Sequence, residues 1–137
     1  MDSLENKAFY TGKSMLREFT PGDLRETREI PFAEFRVGDV VAFRVPEPNA
    51  KGVVHRVIAR GEDYLVTMGD NNMTPDAHHV TMADNPRLVI SRSPREGVVK
   101  RVWRGKAGRC VWWWHRLRKF IHRAFSAVWR RTFAKLG

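Results

Sequence analysis

The chain has 137 residues and a mass of 15.9 kDa, enough for one domain with its own hydrophobic core and a short appendage. Hydrophobic residues make up 42% and charged residues 29%, a composition typical of a globular protein rather than of a disordered or fibrous one. The single cysteine, Cys110, excludes an intramolecular disulfide and a cysteine-rich zinc site.

The formal net charge of +10 is unevenly distributed along the chain. Residues 1–99 carry 13 basic and 15 acidic residues, whereas residues 100–137 carry 12 basic residues and no acidic one. A near-neutral body is therefore followed by a cationic tail. Such a tail attracts polyanions, either nucleic acid or an anionic membrane surface, and charge by itself does not distinguish the two.

Residues 8–104 are predicted to form β structure. Short runs rich in β-branched residues alternate with Gly, Pro and Asp at spacings typical of a barrel or sandwich. A turn is expected at Thr20–Asp23, a three-residue hairpin loop at Gly61–Asp63 and a long polar loop at Gly69–Pro86. The predicted strands are Leu24–Ile30, Val40–Val45, Val53–Arg60, Tyr64–Met68, Arg87–Ser91 and Gly97–Trp103.

From about Arg109 the hydrophobic period changes to that of an amphipathic helix. One half of the helical wheel carries Trp113, Trp114, Leu117, Phe120, Ile121, Ala124, Phe125, Ala127 and Val128. The other half carries most of the basic and polar residues. Aromatic anchors opposite cations are typical of a helix that lies in a membrane interface, so residues 109–137 are expected to bind an anionic membrane surface. The alternatives are packing on the domain's own core or on a partner, and, least favoured, nucleic-acid binding.

Four residues are candidates for chemistry. Ser14 follows Gly12 by two residues, where a backbone bend could expose its hydroxyl, but a serine needs a neighbouring base to act as a nucleophile. His55 lies on the same strand face as Val53 and Val57, as either a satisfied core histidine or a positioned base. Asp70 and Asp76 lie in a segment that also fits an ordinary Asx-rich turn.

In this order, four segments resemble the conserved boxes of type I signal peptidases, a family of serine endopeptidases. They are Gly12–Met15, Gly38–Phe43, Val54–Ile58 and Thr67–Asn72, with Asp76 six residues beyond Asp70. The chain has a histidine, His55, at the position of the catalytic base in this family. In this respect it resembles the histidine-using branch of the family, which is found in the endoplasmic reticulum, archaea and some Gram-positive bacteria. The resemblance covers about residues 10–103.

The resemblance implies a mainly β fold, the signal-peptidase and LexA-like β-barrel, in a catalytic domain of residues 1–104. The helical tail of residues 105–137 is expected from its hydrophobic period and is not a feature of that family. It implies Ser14 as nucleophile, His55 as general base, Asp76 as the carboxylate that orients His55, and Asp70 as a support of the site. Backbone N–H groups near Ser14 would form the oxyanion hole. The expected substrate is a precursor or leader peptide cleaved after small residues.

No cofactor is expected, and no metal site, because His78 and His79 lack further ligands at a suitable spacing. The N-terminal residues include no apolar signal-peptide core, and no apolar run approaches the roughly 18–20 residues of a membrane span. We therefore expect a peripheral membrane protein on the cytoplasmic face. The alternatives are a cytoplasmic leader peptidase, a self-cleaving protease of the same fold, and a non-catalytic module that binds membrane or nucleic acid.

Overall fold

The computed structural model describes residues 6–16, 18–46 and 51–134. Its elements are the strands β1 (Lys7–Phe9), β2 (Leu24–Arg28), β3 (Val40–Val45), β4 (Lys51–Arg60), β5 (Leu65–Met68), β6 (Arg87–Arg95) and β7 (Val98–Arg101), and the helix α1 (Gly105–Phe133). Strand β3 has the predicted bounds, and the short exposed strand β1 was not individually predicted. The predicted Gly69–Pro86 loop contains a bridge from Val80 to Leu65 and a short 3-10 helix at Met82–Asp84.

The strands form one antiparallel sheet in the order β1-β2-β6-β3-β4-β5, and β7 also pairs with β6. The protein is therefore mainly β with one C-terminal helix, as predicted. Within the described part of the chain, β1 and β5 stand at the two ends of this order and the sheet is not closed. The expected barrel is consequently not confirmed.

The central strands are buried on both faces, which explains the uninterrupted apolar run in β3. Val40 and Ala42 face one hydrophobic cluster, and Val41 and Phe43 face the other. The first cluster also contains Tyr10, Met15, Phe19, Val54, Val89 and Val102, and the second contains Phe35, Val57, Leu65, Val80 and Leu88. A strand covered on both faces loses the apolar and polar alternation of a half-exposed strand.

The predicted turn at Thr20–Asp23 closes the base of the loop that carries Ser14. The Asp23 N–H donates to the Thr20 carbonyl at 2.9 Å, and Gly22 has a φ of 98°, which favours glycine. Above the turn, the Tyr10 N–H donates to the Asp23 carbonyl at 2.8 Å. The loop is thus held at both ends, and Ser14 lies between them.

Helix α1 begins against the segment that enters β3. It starts at Gly105, earlier than the Arg109 at which the apolar period becomes visible. The buried Asp39 carboxylate accepts hydrogen bonds from the Gly105 N–H at 2.9 Å and from the Arg104 guanidinium at 3.0 Å. An anion at a helix N-terminus is favourable because the first N–H groups point toward it.

The backbone of the first turn of α1 packs directly against the backbone of Gly38, just before β3. A Cβ atom on Gly108 would lie 2.1 Å from the Gly38 carbonyl oxygen, and one on Gly38 would lie 1.9 Å from the Gly105 oxygen. These glycines therefore allow α1 to approach the sheet closely. No helix among the described residues is long and apolar enough to span a bilayer.

We expect Gly108→Ala to lower the free energy of unfolding by about 1–3 kcal/mol, because the new methyl group collides with the Gly38 carbonyl. Helix propensity alone would favour alanine by about 1 kcal/mol, so the sign of the change reports the contact. Urea denaturation measures it. The control is Gly52→Ala, whose Cβ would meet no atom within 4 Å. Equal stability of the two variants would contradict the close approach.

Candidate active site

The side chains of Ser14, His55 and Asp76 form a hydrogen-bonded series. The Ser14 Oγ lies 2.8 Å from His55 Nε2, and His55 Nδ1 lies 2.5 Å from an Asp76 carboxylate oxygen. An ionised carboxylate can only accept, so Nδ1 donates to Asp76 and Nε2 is left to accept the Ser14 hydroxyl proton. Three residues predicted as nucleophile, base and orienting carboxylate are thus in contact.

His55 is positioned by the centre of the sheet. In β4 it lies opposite Val41 of β3, and its neighbours Val53 and Val57 pack on the second hydrophobic cluster as the strand alternation predicts. The residue is 8% exposed. The ring is therefore buried around most of its surface but reaches the Ser14 cleft with one nitrogen.

The Ser14 loop is held by the segment that follows β5. The Asn71 N–H donates to the Ser14 carbonyl at 2.7 Å, and a Cβ on Gly69 would lie 2.6 Å from the same oxygen. On its other side, the Met15 N–H donates to the Tyr10 hydroxyl at 2.9 Å. The absence of a side chain at Gly69 therefore allows the segment after β5 to pack directly against the Ser14 loop, and this contact holds Ser14 in position.

Thr67 is a site residue that the sequence analysis missed. Its hydroxyl donates to the same Asp76 oxygen that receives His55, at 2.6 Å, and its carbonyl accepts from the Asp76 N–H at 2.8 Å. Thr67 is fully buried at the end of β5. The signal was available, since Thr67 begins the segment that resembles the signal-peptidase box, but a threonine in a strand is too common to single out.

Asp70 lies beside this series and is engaged by Arg56. The guanidinium of Arg56 donates to both Asp70 carboxylate oxygens at 2.9 Å, and the Asp70 N–H lies 3.2 Å from the Met15 sulfur. Among the described residues, no contact joins the Asp70 carboxylate to Ser14 or His55. Asp70 is therefore placed to position the Ser14 loop rather than to take part in proton transfer.

Arg56 is the second residue that the sequence analysis missed. It is 1% exposed and also donates to the backbone carbonyls of Gly38 and Gly108. The sequence contained a signal for this role, because Arg56 lies in a strand with Val53 and Val54 before it and Val57 and Ile58 after it. Such a strand is buried on both faces, so a charged side chain in it needs a buried partner. Glu18 lies 3.8 Å from the same guanidinium and adds a second anion.

A cleft of about 520 Å³ opens beside the nucleophile. Ser14, His55, Lys13 and Arg25 are among its lining residues, and no acidic residue of the described chain lines it. The cleft therefore gives access to Ser14, and the charged residues that line it are basic.

Helix α1 contacts the site through its polar face. His115 Nε2 lies 3.2 Å from a Glu18 carboxylate oxygen, the Arg116 guanidinium donates to the Asn72 carbonyl at 3.3 Å, and the Lys119 ammonium donates to the Asn71 carbonyl at 3.1 Å. These acceptors belong to the segments that hold Ser14. The helix is thus mounted directly on the loop that carries the candidate nucleophile.

The apolar face of α1 is largely exposed to solvent. Its exposed large side chains are Trp113, Trp114, Leu117, Phe120, Ile121, Phe125, Val128 and Trp129. From Phe120 to Thr132 every residue other than Ser126 is exposed. The alternative in which this face packs on the domain's own core is therefore not the arrangement in the structure. Residues 135–137 of the predicted tail lie outside the described residues.

One cluster offers metal-type ligands. Glu18, Asp70 and His115 each place a ligand atom within 4.8 Å of the others. The Arg56 guanidinium already contacts both carboxylates, so it supplies the positive charge that a cation would bring. The geometry fits an ion-pair network better than a metal centre.

Comparison with known proteins identifies no relative. No family model, no curated protein and no solved structure matches the chain.

We expect Arg56→Met to lower the free energy of unfolding by about 3–5 kcal/mol, because it leaves the Asp70 carboxylate buried without its cation. Urea denaturation provides the measurement. Arg28→Met removes an exposed arginine and should change stability by less than about 0.5 kcal/mol. The double variant Arg56→Met/Asp70→Asn should recover part of the loss. A cost no larger than that of Arg28→Met would show that the pair does not support the fold.

Proposed function

We propose that this protein is a serine endopeptidase in which Ser14 is the nucleophile, His55 the general base and Asp76 its orienting carboxylate. The observation that carries the proposal is the hydrogen-bonded series Asp76–His55–Ser14, which ends at an open cleft. The three residues come from separate parts of the chain, so local sequence does not explain why they meet. Each group has the partner that serine proteolysis requires.

In the acylation step, the Ser14 oxygen attacks the carbonyl carbon of the scissile peptide bond while its proton moves to His55 Nε2. Asp76 stabilises the imidazolium that forms, and Thr67 holds the carboxylate in place. Collapse of the tetrahedral intermediate breaks the C–N bond. His55 returns the proton to the leaving amine, and the acyl group remains on Ser14.

Hydrolysis of this ester completes the cycle. A water molecule attacks the acyl carbon, gives its proton to His55 and displaces the Ser14 oxygen, which is reprotonated by His55. The two steps use the same base in both directions.

The developing oxyanion needs hydrogen-bond donors near Ser14. The Met15 N–H is already taken by the Tyr10 hydroxyl, whereas no described residue accepts from the Ser14 N–H. The Ser14 N–H is therefore our candidate donor. Removing a single such donor in other enzymes costs about 100- to 1000-fold in rate.

The order of the motifs supports a finer proposal, that the domain resembles type I signal peptidases of the histidine branch in fold and in specificity. The substrate would then be a precursor or leader peptide cleaved after small residues. A leader peptidase or self-cleaving protease would use the same three residues. A non-catalytic binding module has no need for the Ser14–His55–Asp76 series, which favours the enzyme.

We also propose that α1 attaches the protein to an anionic membrane surface. Its exposed apolar side chains form a continuous stripe, and a stripe of this size marks an interaction surface. Met73, which is 61% exposed, lines a groove together with Trp113, Leu117 and Phe120. The exposed Arg118 and Arg123 flank the stripe and suit anionic head groups.

We expect Ser14→Ala and His55→Ala each to lower kcat/KM for peptide cleavage by at least about 10⁴-fold, because either change removes the nucleophile or its base. Asp76→Asn should cause a loss of similar size. The assay uses a peptide library with small residues at successive positions, in the presence of anionic vesicles.

Ser93→Ala and His79→Ala are matched controls, since these side chains lie outside the hydrogen-bonded series. Both should keep the activity of the intact chain. Equal cleavage by the intact protein and the Ser14→Ala and His55→Ala variants would refute the assignment.

We expect the triple variant Leu117→Ser/Phe120→Ser/Ile121→Ser to bind anionic vesicles at least about 100-fold more weakly, because each large apolar side chain contributes roughly 1.5–3 kcal/mol when it leaves water. Vesicle co-sedimentation gives the partition constant. Val99→Ser removes an exposed apolar residue of β7 and should leave binding unchanged. Unaltered binding of the triple variant would exclude α1 as the membrane anchor.

A further inference from the structure

We propose that Arg25 recognises an acidic side chain of the peptide substrate, so that the protease selects precursors with an aspartate or glutamate close to the scissile bond. This inference rests on the proposed peptidase function and adds a substrate class to it. It is carried by the position of Arg25, by its lack of a partner and by the charges around it.

Arg25 stands where two cavities meet. It lines the cleft of about 520 Å³ that contains Ser14 and His55, and it also lines a neighbouring cavity of about 670 Å³ between β1, β2 and β3. Gly52 of β4 also lines both spaces, and a Cβ atom at this position would meet no other atom within 4 Å. A peptide that reaches Ser14 can therefore place a nearby side chain against Arg25.

The Arg25 side chain is half-buried and lacks a partner among the described residues. Its Nε is shielded from solvent, and no described group accepts a hydrogen bond from it. No described carboxylate forms an ion pair with this guanidinium. Desolvation by burial lowers the pKa of Arg25, although an arginine remains charged at neutral pH. An uncompensated charge in such a place is costly, and a ligand carboxylate would remove the cost.

The carboxylates close to Arg25 in the sequence accept hydrogen bonds from other groups. Asp23 accepts from Arg92 at 3.0 Å and from the Thr20 N–H, and Glu26 accepts from the Ser91 hydroxyl at 3.1 Å. Arg92 lies directly opposite Arg25 in the β2–β6 ladder. Like charges at facing positions repel, so the sheet adds to the demand for an anion rather than meeting it.

The remaining lining groups also favour an anion. Lys13 lines the cleft, and Lys7 and Arg44 line the neighbouring cavity. The acidic residue that lines this cavity, Asp84, already accepts from the Thr81 N–H at 2.8 Å and lies 2.9 Å from His78 Nε2. A carboxylate matches the two-pronged donor geometry of a guanidinium, which an amide matches less well.

The test measures binding by the full-length Ser14→Ala protein, so that it does not depend on turnover. The probes are N-acetylated, C-amidated peptides in which one glutamate, or glutamine in its place, is moved through successive positions on both sides of a small residue. The blocked ends leave the side chain as the one carboxylate. At one position we expect the glutamate peptide to bind about tenfold more tightly, with a preference that weakens as salt is added.

Arg25→Gln in the same background should abolish the preference, and Arg25→Lys should retain part of it. Arg28→Gln, an exposed position of the same strand, should leave it intact. Arg25→Gln should also melt at a higher temperature, because it removes a charge without a partner. Equal binding of glutamate and glutamine peptides at every position, or no binding of any, would overturn the proposal. A preference that survives Arg25→Gln, or a lower melting temperature of that variant, would do so too.

These outcomes are separate from those of the peptidase proposal. Cleavage by the intact chain without an acidic preference would leave the serine mechanism in place and remove only the role of Arg25. Selective binding by the Ser14→Ala protein without cleavage by the intact chain would remove the peptidase proposal and leave Arg25 as a recognition residue for acidic peptides.

Discussion

Arg56 and Asp70 form a bidentate ion pair that is almost completely withdrawn from water, and the geometry of the site depends on it. Arg56 follows His55 in β4, whereas Asp70 begins the segment that holds the Ser14 loop and ends at Asp76. Neither charge can be left buried alone without a large penalty, so the two segments have one favourable relative position. The spacing that lets Asp76 reach one His55 nitrogen and Ser14 the other follows from this constraint.

The same guanidinium connects the site to the helix. Arg56 donates to the Gly108 carbonyl in the first turns of α1, and its second anion, Glu18, contacts His115 further along the helix. Polar groups with fixed partners thus hold one face of α1 against the body. An amphipathic helix of a globular protein usually buries its apolar face, and here that face remains exposed. If it enters a membrane, the Ser14 loop is carried to the membrane surface with it.

Much of the site could be predicted because the residues lie in short segments with recognisable order. Ser14, His55 and Asp76 were each weak candidates alone, and the resemblance of the surrounding segments to signal-peptidase boxes supplied their roles. Thr67 and Arg56 also lie in two of these segments, but the sequence analysis gave them no role. A threonine is common in strands and does not by itself indicate a functional role. Arg56 lies on the opposite face of β4 from His55, and a charged residue on one face of a strand normally indicates that this face is exposed to solvent. Both faces of β4 are covered, so Arg56 is buried instead.

The fold was also predicted only in part. Strand β3 and the turn at Thr20–Asp23 follow from local preferences, namely β-branched residues and a glycine with positive φ. Strand β1 has no such signal, because it consists of three exposed residues and pairs with β2, which lies about 15 residues further along the chain. The spacing of the predicted strands fits a barrel or a sandwich, and the resemblance favoured the closed barrel. In the described residues the sheet remains open between β1 and β5.

The amino-acid sequence by itself determined the class of structure and the amphipathic character of the tail, because these depend on residue type and on spacing along the chain. It also made Ser14, His55 and Asp76 candidates, whose roles came from the resemblance of the segments around them to signal-peptidase boxes. The tertiary structure decided which face of α1 meets the body and where the Arg56 charge is neutralised. It also decided which cation of the Ser14 cleft, Arg25, lacks a partner among the described residues. Each of these depends on pairing between groups far apart in sequence, and only packing brings such groups within hydrogen-bond distance.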